Sequence, residues 1–89
     1  MRIDKYLKIS HIVKRRSVAQ EMIAAGVVRL NGRPVKASSM VKVGDIVEVA
    51  FPRRTLKVSV ICNDELLLKK GNRSYEVLEE HVVEHKDIP

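Results

Sequence analysis

The sequence has little cysteine, few aromatic residues and no long apolar run, and each shortage excludes a class of protein. Cys62 is the only cysteine, so no internal disulfide can form, and a reducing cytoplasm is the expected compartment. Aromatic side chains make up 3% of the chain, too few for base stacking to dominate nucleic-acid recognition. No stretch approaches the run of about 18 apolar residues that a membrane span requires, so no membrane partner is expected.

The net positive charge lies in the first half of the chain. Residues 1–51 contain ten Lys and Arg against four Asp and Glu, and this excess is the whole formal net charge of +6. Residues 52–89 contain seven of each sign. A charge so polarised within one small domain points to an anionic partner such as RNA, bound mainly through its phosphates.

A first helix is predicted over residues 3–13. At about 100° per residue, four side chains share the face expected in the core, and these are Ile3, Tyr6, Leu7 and Ser10. Arg2, Lys5 and Lys8 lie on the opposite face. Asp4 is expected either to begin the helix or to orient a neighbouring arginine.

A second helix is predicted over residues 17–25, because Ser17 and Gln20 fit a capping box and Gly26 fits a left-handed cap. Its predicted buried stripe consists of Val18, Ala19, Met22 and Ile23. The basic turn, residues 14–16, precedes this helix and surrounds its N-terminus, whose free N–H groups already favour phosphate. Arg15 and Arg16 outrank Lys14 as contacts because arginine can hold a phosphate through two hydrogen bonds.

After Gly26 the apolar pattern changes from helical to alternating, which predicts strands. They are expected over residues 28–30, 46–51, 56–60 and 75–78, with a tight turn at Asn31-Gly32. Residues 66–70 fit either a short helical turn or a loop. The tail after residue 78 either frays or forms a short acidic helix.

The order of these features resembles the S4 RNA-binding domain. The similarity spans about residues 1–51, through residues 2–7, the basic turn, Ala19, residues 23–26, residues 28–32 and residues 43–47. It implies an α+β, S4-like fold of the αL type, with two N-terminal helices packed on a small, mostly antiparallel sheet. Residues 1–51 would form the S4-like core. Residues 52–89 would complete the sheet and supply an acidic C-terminal tail, within a single compact domain.

As a short, stand-alone chain, the sequence most resembles the bacterial RqcP (YabO) family of ribosome-associated quality control. That resemblance implies binding to the stalled large ribosomal subunit, through rRNA and peptidyl-tRNA, and assistance to the factor RqcH during alanine tailing of nascent chains. It implies a non-catalytic, cofactor-free monomer. The expected RNA contacts are the basic residues of the first helix, the basic turn and the hairpin: Arg2, Lys5, Lys8, Lys14, Arg15, Arg16, Arg29, Arg33 and Lys36.

Three alternatives remain open at the level of the sequence. One is a different S4-type role, such as heat-shock recycling of aberrant large subunits. Another is a protein-interaction module whose working surface is the neutral second half. The third is zinc catalysis at residues 81–85, which match the H-x-x-E-H pattern of some peptidases, but no further ligand is evident in the sequence and an enzyme is not expected. Cys62 is expected to be a small core residue.

Overall fold

The computed structural model describes residues 1–82 and contains three helices and five strands in this part of the chain. The helices are α1 (Ile3–Ile9), α2 (Arg16–Ala24) and α3 (Glu65–Lys69). The strands are β1 (Val28–Leu30), β2 (Arg33–Pro34), β3 (Ile46–Phe51), β4 (Arg54–Val60) and β5 (Tyr75–Val82). Within residues 1–82, the helices are all too short to cross a membrane.

The five strands form one antiparallel sheet in the order β2-β1-β3-β4-β5. Asn31 (φ 53°) and Gly32 (φ 80°) make the predicted tight turn between β1 and β2, since both adopt the left-handed backbone that such a turn requires. Asn31 also accepts a hydrogen bond from the backbone N–H of Ile46 at 2.8 Å and donates one to Asp45 at 3.1 Å. This asparagine therefore fixes the hairpin against the start of β3.

The core lies between the two N-terminal helices and one face of the sheet. Ile3, Tyr6 and Leu7 of α1 are fully buried, and Ser10 is nearly so, which confirms the predicted inner face of this helix. The sheet contributes its alternate residues, and the buried ones are Val28, Val47, Val49, Leu56, Val58 and Val60. The predicted α+β fold, with two helices on an antiparallel sheet, is confirmed.

The first helix is shorter than predicted, because it ends at Ile9 and not at residue 13. His11 takes a left-handed conformation (φ 65°), and its N–H bonds to the carbonyl of Lys8. The N–H of Val13 then reaches back to the carbonyl of Leu7 at 3.0 Å. Ile12 and Val13 are buried in this turn. The helical spacing of apolar residues continues through this turn because Ile12 and Val13 also face the core, which is why the sequence predicted a longer helix.

The predicted capping box of the second helix is wrong. The helix begins at Arg16 with Arg15 as its N-cap, and no side chain caps it. Gln20 donates from its Nε2 to the buried carboxylate of Asp4 at 2.9 Å instead of reaching back to Ser17. The buried carboxylate of Asp4 is preferred over the local bond to Ser17, because an unpaired buried acceptor would cost free energy of folding. Val18, predicted as buried, is 38% exposed, whereas Ala19 and Ile23 are buried.

The second half of the chain extends the same sheet. Of the two structures that residues 66–70 fitted, the helical turn is the one observed: α3 ends at Lys69 and Lys70 is its C-cap. Its N-cap Asp64 accepts hydrogen bonds from the N–H groups of Leu66 and Leu67. β5 runs four residues further than predicted, to Val82, and a register shift interrupts its pairing with β4 at residues 57–58. Cys62 is only partly buried. The prediction that the chain frays or forms an acidic helix after residue 78 is wrong for residues 79–82, which continue β5, and the rest of the tail lies outside the described residues.

Candidate nucleic-acid interface

The carboxylate of Asp4 is the centre of a polar network that joins the two N-terminal helices. It is fully buried in the first turn of α1 and accepts a hydrogen bond from the backbone N–H of Lys5 at 2.8 Å. Arg2 donates to its Oδ2 at 3.2 Å, and Arg16 donates from Nη2 to its Oδ1 at 3.3 Å. Asp4 therefore stands at the start of α1 and also orients two arginines from different helix starts, so both roles predicted for it are confirmed.

Burial and hydrogen bonding act in opposite directions on this carboxyl group. Burial alone would raise the pKa of Asp4, because it disfavours the charged form. The hydrogen bonds from Gln20, Arg16 and the N–H of Lys5 outweigh burial and hold the pKa below its usual range. Asp4 is thus ionised at neutral pH, and its negative charge holds the two guanidinium groups together despite their mutual repulsion.

Arg16 is bonded to Asp4 on one side, and part of its side chain reaches solvent. Its Nε lies 3.2 Å from Oδ2 of Asp4 but has no acceptor in suitable alignment within residues 1–82. Its side chain is 41% exposed, so the guanidinium also faces solvent. Such a group, held at its base by a carboxylate and open on its far side, can bind a phosphate oxygen.

Lys14 and Arg15 are exposed just ahead of α2. Neither takes part in the ion pairs formed among residues 1–82. The free N–H groups of α2 begin directly behind them, because no side chain caps this helix. The basic turn and the two arginines on Asp4 therefore meet at one end of α2, where an anion would be favoured by both the side chains and the helix.

Lys5 belongs to the predicted surface but is paired within the protein. Its Nζ forms a short ion pair with Glu65 at the start of α3, and Glu65 also binds Lys69 at 3.0 Å. Hydrogen bonds from Lys5 and Lys69 lower the pKa of Glu65 to about 2, against a small opposing effect of burial. The second half of the chain thus neutralises one of the predicted RNA contacts. Lys8, at the other end of α1, is exposed.

The three basic residues of the hairpin do not share one surface. Arg29 pairs with Glu48 across the sheet, and its neighbour Val28 points into the core, so Arg29 lies on the outer face of the sheet. There it begins a row of alternating charges that continues through Glu48, Lys57 and Glu79. This face is away from the helices and from Asp4. The row has two basic and two acidic residues, so its charges balance, and the role of Arg29 in RNA binding stays a prediction.

Lys36 lies on the other side, close to Asp4. It directly precedes Ala37, whose carbonyl accepts the N–H of Asp4 at 3.4 Å, and the following segment joins α1 through the Arg2–Met40 bridge. Arg33 is exposed in the edge strand β2. The structure therefore brings together Arg2, Lys5, Lys14, Arg15, Arg16 and Lys36, and separates Arg29 from them.

Sequence reasoning missed two residues of this site. Gln20 supports Asp4 from the second turn of α2, and Glu65 neutralises Lys5 from 60 residues away. The spacing of Gln20 from Ser17 fits a capping box, so the sequence did not indicate its distant partner Asp4. No pattern in the sequence marks the Lys5–Glu65 pair. Of the H-x-x-E-H pattern, His81 is exposed in β5, and Glu84 and His85 lie outside the described residues. Residues 1–82 contain no cluster of three potential metal ligands.

The family model of the S4 domain matches residues 1–47 of this chain. A protein of Streptococcus pneumoniae named RQC P-site tRNA stabilizing factor is 41% identical over 94% of this chain and 97% of its own length. The protein of that name from Bacillus subtilis is 38% identical over 90% and 94%, respectively. One from Helicobacter pylori is 47% identical over 57% of this chain and 61% of its own length.

Among solved structures, the trimeric heat shock protein 15 of Vibrio cholerae superimposes with a TM-score of 0.73. The match covers 86% of this chain and 80% of that protein at 22% identity. This likeness concerns the fold, and it extends well beyond the residues matched by the family model.

Proposed function

We propose that this chain, which belongs to the S4 domain family and to its RQC P-site tRNA stabilizing factors, is a non-catalytic RNA-binding adaptor of ribosome-associated quality control. Its ligand would be the stalled large ribosomal subunit, contacted through rRNA and peptidyl-tRNA. It would act in the cytoplasm as a monomer, and its binding would assist RqcH in adding alanine to the nascent chain.

The observation that carries the proposal is the buried carboxylate of Asp4 with two arginines on it. A phosphate contact is strongest when the guanidinium is already oriented, because little side-chain entropy is then lost on binding. Arg16 is fixed in this way, and the exposed Lys14 and Arg15 stand beside it. Together these cations form a patch around the start of α2, where they would suit the closely spaced phosphates of folded RNA.

Two nearby features agree with a binding role and offer nothing for catalysis. The patch lies at the end of a helix and on a turn, where groups can reach a large RNA without entering a cleft. Its members are guanidinium and ammonium groups, which bind phosphate but do not act as bases or nucleophiles at neutral pH. The name shared by the relatives includes tRNA stabilisation, which requires binding alone.

Co-sedimentation with purified large subunits tests the proposal. Subunits that carry peptidyl-tRNA should retain the protein more strongly than empty large subunits or small subunits. If about six phosphates are neutralised, the logarithm of the association constant should fall with the logarithm of salt concentration at a slope near −5. Equal retention on all three particles, or an affinity that is insensitive to salt, would contradict it.

Addition of RqcH and alanyl-tRNA to the same complexes tests whether the protein assists RqcH in alanine addition. The protein should increase alanine incorporation into the stalled chain when both factors are present. An unchanged rate, with intact subunit binding, would leave an RNA-binding protein with another role on the large subunit.

A further inference from the structure

We propose that the apolar groove between α2 and the β3–β4 hairpin is a docking site for an amphipathic helix of another protein, one that carries acidic side chains beside its apolar face. The groove is separate from the Asp4 network. It adjoins the patch assigned to RNA only at the basic turn, so the protein would hold RNA and a protein partner side by side.

The groove has the size and lining of a protein-binding site. Its volume is about 1040 Å³, and its principal lining residues are Ile12, Val13, Val18, Met22, Phe51 and Pro52. A nucleobase would fill only a small part of this space, whereas several apolar side chains of a helix would fill it. Val18 is 38% exposed and lies one helical turn from the half-buried Met22, and both side chains line the groove. Exposed apolar residues grouped in this way mark contact sites for other macromolecules.

The charges around the groove select the kind of partner. Lys14 and Arg15 form one side of its rim, and Arg53 lies in the hairpin turn next to Pro52. None of these three cations takes part in an ion pair among residues 1–82. Glu21 is the one acidic residue of the lining. An incoming helix with Glu or Asp beside its apolar stripe would therefore be attracted, and a basic one repelled.

Other occupants fit the groove less well. RNA interfaces are polar and basic, so RNA would leave the apolar floor unfilled. A lipid bilayer is flat, whereas this surface is a groove between a helix and a hairpin, so a bilayer would fill it less completely than a helix would. A second copy would need an apolar surface with available acidic groups. The exposed apolar side chains of β5 are flanked by Glu79 and Glu80, and both already pair with cations of their own chain.

The probe is a synthetic amphipathic peptide of about 18 residues, long enough to form a helix in water, with a leucine stripe flanked by glutamates. A matched peptide carries lysine in place of each glutamate. Binding to the full-length, isotope-labelled protein is followed by NMR. The acidic peptide should bind at least about tenfold more tightly than the basic one, since both its apolar stripe and its charges match. The shifted signals should be those of α2 and the hairpin.

Two neutral substitutions locate the site. Val18→Gln introduces a polar side chain into the groove and should weaken acidic-peptide binding about tenfold. Val43→Gln is the matched control, since Val43 is 61% exposed and does not line the groove, and it should leave binding unchanged. Both variants should keep the affinity for ribosomal RNA, so failure of the groove and failure of RNA binding are distinguishable.

Several results would overturn the proposal. These are no binding of either peptide, equal binding of both, or equal losses in the two variants. Tighter peptide binding after removal of residues 83–89 would identify the chain's own tail as the occupant. Self-association that Val18→Gln abolishes would identify a second copy, and binding of anionic vesicles that Val18→Gln abolishes would identify a membrane.

Discussion

The carboxylate of Asp4 lies 3.2 Å from Nε of Arg16, so the first turn of one helix holds the first residue of the next. This contact fixes the angle at which the basic turn leaves α1. It also leaves one side of the guanidinium open to solvent. The same atoms therefore serve both the packing of the two helices and the presentation of positive charge.

Asp4→Asn should weaken both folding and RNA binding. Asparagine keeps the size of the side chain but loses the charge that holds Arg2 and Arg16. One buried donor is then left poorly satisfied, which costs about 1–3 kcal/mol of unfolding free energy. Urea denaturation measures this loss, and large-subunit co-sedimentation measures the weaker binding. Glu21→Gln is the control, because it also removes one negative charge but at an exposed position of α2, and it should have little effect on stability.

The contribution of Asp4 to stability should depend on pH. Its pKa in the folded protein is lowered from the usual value of 3.8. A carboxyl with a lowered folded pKa stabilises the protein above its unfolded pKa, and this stabilisation is lost as the pH falls through the folded value. The difference in unfolding free energy between the natural chain and Asp4→Asn should be constant from about pH 7 to pH 5 and shrink below about pH 4. A difference that grew on acidification would contradict this assignment.

Replacement of Lys14 and Arg15 by alanine should weaken RNA binding without loss of stability, because both are exposed and outside the ion pairs among residues 1–82. The loss of two phosphate contacts should reduce the steepness of the salt dependence by about 1.8. Subunit affinity should fall about tenfold or more. The matched double variant Lys42→Ala/Lys70→Ala removes two exposed charges elsewhere and should retain nearly full affinity. Equal losses in the two double variants would mean that net charge alone drives binding.

Arg16→Ala is a less specific test than these. It removes a candidate phosphate contact and also takes a hydrogen-bond donor from the buried carboxylate of Asp4. We therefore expect a lower melting temperature together with weaker binding, so the two effects have to be separated by comparison with the Lys14/Arg15 variant.

Glu65→Gln should strengthen RNA binding. It removes the charge that neutralises Lys5 and releases that ammonium group toward the patch. At low salt we expect an affinity gain of about two- to fivefold, consistent with one additional exposed charge contact. Glu79→Gln is the control, because it also separates a lysine, Lys57, from its partner but does so on the outer face of the sheet. Filter binding at two salt concentrations compares the two variants, and a gain of similar size in both would reject a local effect of Lys5.

Tyr6→Phe should lower stability while RNA binding is retained. The hydroxyl of Tyr6 donates to the carbonyl of Ser74 at 2.7 Å and so ties α1 to the start of β5. Its loss should cost about 1 kcal/mol, since the carbonyl keeps the N–H groups of Ile61 and Cys62 as donors. Tyr75→Phe is the matched control, because the Tyr75 hydroxyl makes no hydrogen bond within residues 1–82. Thermal unfolding of both variants measures the difference.

The sequence was most informative where contacts are local. The inner face of α1, the Asn31-Gly32 turn and the strands each follow from spacing within a few residues, and the family resemblance ordered them into a fold. Contacts that join distant segments had no such pattern. In the sequence Gln20 fits a capping box with Ser17, but in the structure its partner is the buried carboxylate of Asp4 on another helix.

The candidate site divides in the same way. Charge counting located the basic patch in the first half of the chain but could not say which cations are already neutralised. Lys5 and Glu65 meet only because α3 packs against α1. Arg29 is separated from the patch by strand alternation, which could have been read from the buried Val28 beside it. Val18 was assigned to the core by helical spacing, whereas it lines a groove.

The central position of β3 affects how the chain can fold while it is being translated. β1 lies on one side of β3 and β4 on the other. While only the first half of the chain has left the ribosome, β3 has one unpaired edge, because its partner β4 has not yet emerged. The partners of Tyr6 and Lys5 are Ser74 and Glu65, which lie in the last third of the chain. The surface assigned to RNA is therefore more positive on the growing chain than on the finished protein, in which Glu65 neutralises Lys5.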